Sequence, residues 1–174
     1  EQKLAFLVEK FIMAARMEQK IIQIRKQKAD LKETASEAIF QVHRKAERRG
    51  IDIVLREQPD MRRIAEHDRN WICECIYNLL DNSIKYSPEG STVTVSLQNN
   101  EMFAEISVED EGIGIAPGEE NQIFQLFYRG KCAGDVPGYG MGLYITREIV
   151  KKHDGFLRVR RKEKGLNVSI FLPE

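Results

Sequence analysis

The stretch Asn78-Leu79-Leu80-Asp81-Asn82-Ser83-Ile84-Lys85-Tyr86-Ser87 carries the residue types with the clearest chemical potential. At about 100° per residue, a helix gathers Asn78, Asn82, Lys85 and Tyr86 within an arc of roughly 100°. Ile72, Ile76, Leu79, Leu80 and Ile84 fall on the other side. Asparagine is a poor helix former, because its side chain competes for backbone hydrogen bonds. Two of them beside a lysine on one face need a reason. An amide oxygen is a hard, neutral ligand for Mg2+, and a nearby lysine neutralises phosphate oxygens. A solvated helix face is the plain alternative.

Three further clusters follow. Asp110-Glu111-Gly112-Ile113-Gly114-Ile115 places two residues without Cβ just after a carboxylate. Glycine admits a positive φ and close backbone approach to a ligand, and a carboxylate at a strand end can accept from an exocyclic amine such as adenine presents. An acidic turn is the alternative. Phe124-Gln125-Leu126-Phe127-Tyr128-Arg129-Gly130 offers aromatics for a lid hinge, with Arg129 and Lys131 as positive charge for phosphate. Phe124 and Phe127, three apart, also read as core. Gly138-Tyr139-Gly140-Met141-Gly142-Leu143 runs directly into a helical pattern, and backbone N–H groups at a helix N-terminus bind phosphate. No G-K-[ST] follows, so this is not a Walker loop. A loop precedes it rather than a strand, so it is not a dinucleotide fingerprint either.

The elements that must position these clusters alternate in blocks. Residues 2–28 contain neither Gly nor Pro, and Leu4, Val8, Phe11, Ala15 and Ile22 form a broken heptad seam. That predicts a long helix needing partner helices. It opens mid-pattern without a capping residue, so a longer parent is expected. Asp30, with Glu33 three residues on, reads as a capping box for a second helix ended by Gly50. Residues 51–56 alternate like a strand, and a short strand near residues 63–65 leads to Asp68, a cap for the helix of Asn78. Residues 92–97 and 103–108 form a hairpin around Asn99-Asn100. A short helix is predicted over residues 120–127, a mobile glycine-rich loop over 130–142, a helix over 141–153 and a last hairpin around Lys164-Gly165. The predicted fold is α+β: a two-layer α/β sandwich, with a mixed sheet and three main helices on one face, preceded by a long helix.

Composition narrows the function classes. The chain has 174 residues, 42% hydrophobic and 31% charged, enough for one domain with a core. Lys+Arg and Asp+Glu are both 27, which disfavours a nucleic-acid binder. No apolar run approaches the ~18 residues of a membrane span. The three cysteines make no disulfide framework and suit a reducing, cytoplasmic setting. Cys73 and Cys75, two apart on a helix, point to opposite sides and read as small apolar filler.

In order, N-x-x-x-N-x-x-K-Y, D-x-G-x-G, F-x-x-F-Y-R and G-x-G-x-G-L resemble the ATP-binding catalytic domain of sensor histidine kinases of two-component systems. That domain has the Bergerat-type ATP-binding fold, shared with heat-shock chaperones, type II topoisomerases and mismatch-repair proteins. His153-Asp154-Gly155 is similar to the family's usual His-Gly-Gly run. The resemblance implies a catalytic domain over residues 30–174. Residues 1–29 resemble the second helix of the dimerisation and phosphoacceptor bundle. It also implies ATP and Mg2+ as cofactors, with Asn82 as principal metal ligand and Asn78 assisting. Lys85 and Arg129, with Asn78, are the implied catalytic groups. Tyr86 packs near sugar and phosphates; Asp110 binds the adenine amine, with Gly112, Gly114 and Ile115 shaping the base pocket. Arg129 and Lys131 belong to an ATP lid over about residues 129–139, with Phe127 at its hinge and among the nucleotide contacts; Gly138, Gly140 and Gly142 form the phosphate side, with Met141 and Leu143 also among the nucleotide contacts.

The implied partners are the bundle of the same kinase, dimeric in the full-length protein, and a response regulator, with no nucleic acid and no membrane contact by these residues. The parent is expected to be anchored in the bacterial cell membrane. His43, His67 and His153 do not sit in an acceptor motif on a bundle helix, so the phosphoacceptor is expected outside this chain. Position 78 resembles the site of a water-activating glutamate in the hydrolytic relatives. An amide cannot be a general base, so slow hydrolysis is expected. A regulatory module that binds ATP without transferring phosphate is the other reading.

Overall fold

The computed structural model describes residues 2–19, 22–136 and 138–174. Among the described residues, four α-helices and seven strands run in the order α1 (Gln2–Glu18), β1 (Gln27–Asp30), α2 (Leu31–Arg48), β2 (Asp52–Glu57), β3 (Ile64–His67), α3 (Arg69–Tyr86), β4 (Thr92–Asn99), β5 (Phe103–Glu109), α4 (Gly142–Lys152), β6 (Phe156–Arg161) and β7 (Leu166–Pro173). A five-stranded mixed sheet has the order β2-β4-β5-β7-β6. Only the β2–β4 pair in it is parallel. The architecture is the predicted two-layer one.

Period-2 patterning builds the layer contact. Val93, Val95 and Leu97 of β4, Ala104, Ile106 and Val108 of β5, and Val168, Ile170 and Leu172 of β7 are all buried. They meet Ala35, Ala38 and Val42 of α2, Ile72, Ile76, Leu80 and Ile84 of α3, and Ile145 and Ile149 of α4. Each large aliphatic chain so buried contributes about 1.5–3 kcal/mol relative to exposure. Helix α3 is buried on most of its circumference because α2 and α4 flank it. Cys73 and Cys75 are buried in this packing, and burial pushes the Cys73 thiol up to about 11.

The first helix is shorter than its pattern predicts. It stops at Glu18, and residues 27–30 form a strand antiparallel to β3, with Ala29 opposite Ala65. Residues 20 and 21 of the expected helix lie outside the described residues; β3 supplies the partner of residues 27–30, which the sequence alone does not display. Ala14 and Met17 are buried, whereas Leu4, Val8 and Phe11 of the expected seam are exposed. Likewise the helix expected over residues 120–127 is a single 3-10 turn, Gln122–Phe124.

Two caps and two histidines join the helix ends. Asp30 Oδ1 accepts from the Lys32 N–H at 2.7 Å, but Glu33 does not complete the box; its carboxylate takes Arg69 at 3.3 Å instead. Asp68 caps α3, accepting the Trp71 N–H at 3.3 Å. His153 Nδ1 faces the Ile149 carbonyl at 2.8 Å and its Nε2 accepts the Asp68 N–H at 3.0 Å, tying the end of α4 to the start of α3. His67 Nδ1 faces the Ala65 carbonyl at 3.0 Å and its Nε2 faces Thr34 Oγ1 at 2.9 Å. Asp154 then adopts φ +61°, and Gly155 is obligatory because a Cβ there would lie 2.1 Å from the Phe171 carbonyl oxygen.

Burial pulls the pKa of both His67 and His153 below the ordinary 6.5. The folded state therefore holds them neutral, while the unfolded chain takes up protons below that value. Stability is fully present above it and is lost as pH falls. The urea midpoint should drop as pH falls through the ordinary value of 6.5, with both rings in the folded protein titrating by NMR at lower pH than in the unfolded chain. A midpoint that does not move, or folded-state ring titrations at or above the unfolded ones, would refute this.

Candidate functional site

A cleft opens between α3, the loop after β5 and the segment leading into α4. It is lined by Asn78, Asn82, Lys85, Tyr86, Asp110, Gly114, Ile115, Arg129, Gly138, Gly140, Met141, Gly142 and Leu143. Thirteen of the residues singled out by sequence thus converge, from segments up to sixty-odd positions apart. Gly112, Phe127 and Lys131 stand outside its lining.

At one end is Asp110, which is buried. Its Oδ1 accepts the Gly112 N–H at 2.9 Å and the Leu166 N–H at 3.2 Å, and its Oδ2 accepts the Ser83 hydroxyl at 3.0 Å. A carboxylate offers about four lone-pair positions, so these three donors leave one on Oδ2. Burial raises the Asp110 pKa, opposed by the same three hydrogen bonds. The walls around it, Leu79, Val108, Ile113, Ile115 and Val168, are apolar. A flat heteroaromatic ring with one exocyclic donor fits this chemistry. Gly112 acts from outside: a Cβ there would lie 2.6 Å from the Tyr86 carbonyl oxygen, against which the turn closes through the Ile113 N–H at 3.2 Å.

The other end is set by α3 facing the start of α4. Asn78 is buried, and its Nδ2 reaches toward the Gly142 carbonyl at 3.4 Å and Thr146 Oγ1 at 3.5 Å. That turns its amide nitrogen onto α4 and leaves its oxygen free of those contacts. Asn82, half-buried, has no side-chain hydrogen bond among the described residues. Helix α4 begins at Gly142 without a side-chain cap, so its first N–H groups, which have no intrahelical partner, remain for an anion. An amide pair, a lysine and an uncapped helix start suit a metal-bound polyphosphate. Among the described residues, no three His, Cys, Asp or Glu side chains converge as a metal site; amide and phosphate oxygens are the donor set that fits.

Sequence reasoning missed Asp81. Its carboxylate holds Lys85 and Lys45, each at 2.8 Å. Burial pushes its pKa up, but Lys85 and Lys45 outweigh this and hold it below the ordinary value. The acid four residues before Lys85 was the available signal. Phe6 and Lys10 of α1 also reach the cleft, with Lys10 paired to Glu74; no local pattern could have shown that. Of the expected aromatic pair, Phe124 is buried but Phe127 is 55% exposed. Phe127 takes φ +64° at the neck of the loop, its N–H donating to the Gly140 carbonyl at 2.8 Å. Arg129 turns its guanidinium onto the loop itself, donating to the carbonyls of Gly134 at 3.2 Å and Val136.

A helix-covered mixed sheet with a glycine-edged, apolar-to-cationic cleft defines the class: a nucleotide-binding ATPase fold. Residues 67–174 match the family described as histidine kinase-, DNA gyrase B-, and HSP90-like ATPases, and the chain belongs to that family. It is 44% identical over 101 residues to the signal transduction histidine-protein kinase/phosphatase MprB of Mycolicibacterium smegmatis, covering 58% of this chain and 20% of that protein. The chain thus spans about a fifth of that relative. The solved mycobacterial sensor histidine kinase MprB aligns with TM-score 0.72 at 31% identity, over 86% of this chain and 97% of that one. Full-length ShkA in complex with AMPPNP aligns with TM-score 0.85 at 22% identity, over 98% of this chain and 36% of that one. The chain is thus similar to sensor histidine kinases, and its ATP-binding fold is that of their catalytic domain.

Gly140 combines φ +67° with a Cβ position 2.5 Å from the Tyr128 carbonyl oxygen, whereas Gly118, at φ +86°, has open space. Gly140→Ala should therefore cost more in urea titration than Gly118→Ala, which meets only the left-handed penalty of about 1–2 kcal/mol. Gly140→Ala should also speed proteolytic nicking of the loop. Equal costs would show that the neck contact does not constrain the chain.

Proposed function

We propose that this chain binds Mg-ATP and transfers the γ-phosphoryl group to a histidine on a helical bundle of the same kinase, for relay to a response regulator. The observation that carries the reading is the pairing of two ends in one cleft. Asp110 keeps a single free lone pair among apolar walls, and α4 presents an uncapped start beside two asparagines.

Asp110 accepts from the adenine amine, while Ile113, Ile115 and Val168 cover the ring. Asn82, with the Asn78 oxygen beside it, holds Mg2+, which neutralises charge across the phosphates. The N–H groups of Gly142 and Leu143 face the phosphate oxygens. Lys85 adds positive charge, oriented by Asp81. Arg129 leaves the Gly134 and Val136 carbonyls to reach the phosphates when residues 129–139 fold over the nucleotide. Catalysis is then positioning and charge neutralisation. A neutral imidazole carries its own lone pair and needs no base. Water does need one, and the cleft offers none: Asp81 is committed to two lysines, Asp110 lies at the base end, and position 78 is an amide.

The acceptor lies outside these residues. His67 and His153 are buried, and His43 pairs with Glu47 on α2 at 3.2 Å. Helix α1 continues a dimeric bundle, whereas residues 27–30 pair with β3, and the exposed Leu4, Val8 and Phe11 are the surface that a bundle partner covers. The parent is membrane-anchored, with this part on the cytoplasmic side; no helix of the described residues is long and apolar enough to cross a membrane.

Adding γ-labelled ATP to this chain with the complete bundle supplied as a separate polypeptide should give acid-labile label on a bundle histidine. Without the bundle, turnover should stay well below ~1 s⁻¹, an ordinary enzyme rate. Label absent from histidine while ATP binds would leave a nucleotide-responsive regulatory module instead. Asn82→Ala should weaken Mg-ATP binding in calorimetry by about tenfold or more with little change in the urea midpoint. Unchanged affinity would remove Asn82 from the metal.

A further inference from the structure

Glu119 is 2% exposed, yet no ammonium or guanidinium among the described residues pairs with it. Three donors surround its carboxylate. Oε2 accepts the Ala116 N–H at 2.7 Å; Oε1 accepts the Tyr128 hydroxyl at 2.6 Å and the Lys131 N–H at 2.8 Å. The Tyr128 hydroxyl, then the Lys131 N–H, hold its pKa below the ordinary value, so the carboxylate stays charged near neutrality. Ala116 closely follows the base-side Gly114 and Ile115, while Tyr128 and Lys131 flank Arg129 and Gly130. One anion therefore fixes the base-side loop and the first residues of the proposed lid to a common point.

The rest of the loop is held differently. The Phe127 N–H to Gly140 carbonyl bond closes its neck at 2.8 Å, and the Arg129 guanidinium ties its interior to the Gly134 and Val136 carbonyls. Those guanidinium bonds are surface-exposed and exchangeable with phosphate oxygens. The bonds to Glu119 are part-buried and converge three on one carboxylate, so they are harder to exchange. The loop thus divides into a fixed root, residues 128–131, and an arm beyond it. Arg129 belongs to the root by its backbone and to the arm by its side chain.

We propose that Glu119 is a positioning residue for the phosphate end of the site: its carboxylate sets the root from which Arg129 swings between the lid carbonyls and the nucleotide phosphates. This rests on the nucleotide reading above. Glu119 touches no substrate; it acts through Tyr128 and Lys131. In Glu119→Gln an amide N–H2 must face one of the donors, which leaves a buried mismatch and releases one side of the clasp.

Cys132 provides the readout. It is the exposed thiol, adjoining the root, while Cys73 and Cys75 are buried. In Glu119→Gln, maleimide modification of Cys132 should speed up several-fold, and affinity for AMPPNP should fall about tenfold while adenosine affinity changes little. Tyr128→Phe, which removes one donor only, should move both measurements the same way by less, and carries the test if Glu119→Gln shows no cooperative urea transition. Unaltered Cys132 labelling in both variants overturns the proposal. So does an equal loss of AMPPNP and adenosine affinity, which indicates general loosening. If the wild-type chain binds neither nucleotide, the functional reading falls, and the labelling comparison alone still decides whether Glu119 holds the root.

Discussion

The buried carboxylate of Asp110 is the constraint on which the arrangement of the cleft depends. It draws donors from three places that are far apart in sequence: Ser83 on α3, Gly112 in the turn after β5, and Leu166 at the start of β7. An anion so enclosed is costly unless its lone pairs are met, so these three elements cannot separate without exposing or stranding it. The backbone conforms to this arrangement. The Asp110 N–H bonds the Leu166 carbonyl at 2.9 Å, and Gly165 must be glycine there, because a Cβ would lie 1.9 Å from the Asp110 carbonyl oxygen. The β6–β7 hairpin thereby becomes part of the cleft wall at the Asp110 end. Its tip reads in the sequence as an ordinary turn.

Helix α3 transmits that constraint to the other end. Ser83 and Asn78 lie on the same rigid helix, one holding the base end and the other α4. Because α3 is packed by α2 on one flank and α4 on the other, its register is fixed by several buried aliphatic chains. The position of Asn78 relative to Asp110 is then a property of the core. The Asp81 carboxylate adds a lateral brace to α2 through Lys45 and orients Lys85. Pairs whose lysines remain this exposed are weak evidence for stability. Their effect here is to restrict where the Lys85 ammonium can point.

The sequence made the local parts legible and left the tertiary ones hidden. Strands β4, β5 and β7 announce themselves by alternation, and Asp30 and Asp68 by their place before helical runs. The four motifs are written in residue types that have little other reason to occur in that order. Strand β1 escaped because residues 27–30 continue a stretch without Gly or Pro, and only β3, more than thirty positions away, makes them a strand. Glu119 escaped because two of its donors, Tyr128 and Lys131, lie nine and twelve residues further on, and only the tertiary path of the chain brings them to it. Phe127 was misplaced in the core for a related reason: an i, i+3 aromatic pair implies a helix face, but the backbone turns left-handed at Phe127 to close the loop neck.

That left-handed residue bears on how the site can open and close. A phenylalanine at positive φ costs of order 1–3 kcal/mol and persists only where its surroundings impose it. Here the imposing contacts are the Phe127 N–H to Gly140 carbonyl bond and the Tyr128 hydroxyl on Glu119. Both belong to the junction between the rigid sheet-and-helix body and the loop. Gly140, on the return side of the neck, comes two residues before the N-terminus of α4. The neck of the loop therefore lies within two residues of the uncapped N–H groups at the start of α4. The stiff coupling lies at the neck, while the Arg129 bonds further out are exposed and weak. Such a loop can change partners at its tip while its root, the α4 start and the Asn78 amide keep one geometry. The proposed phosphoryl transfer, working by position, would draw on this combination of an exchangeable cation and fixed dipoles.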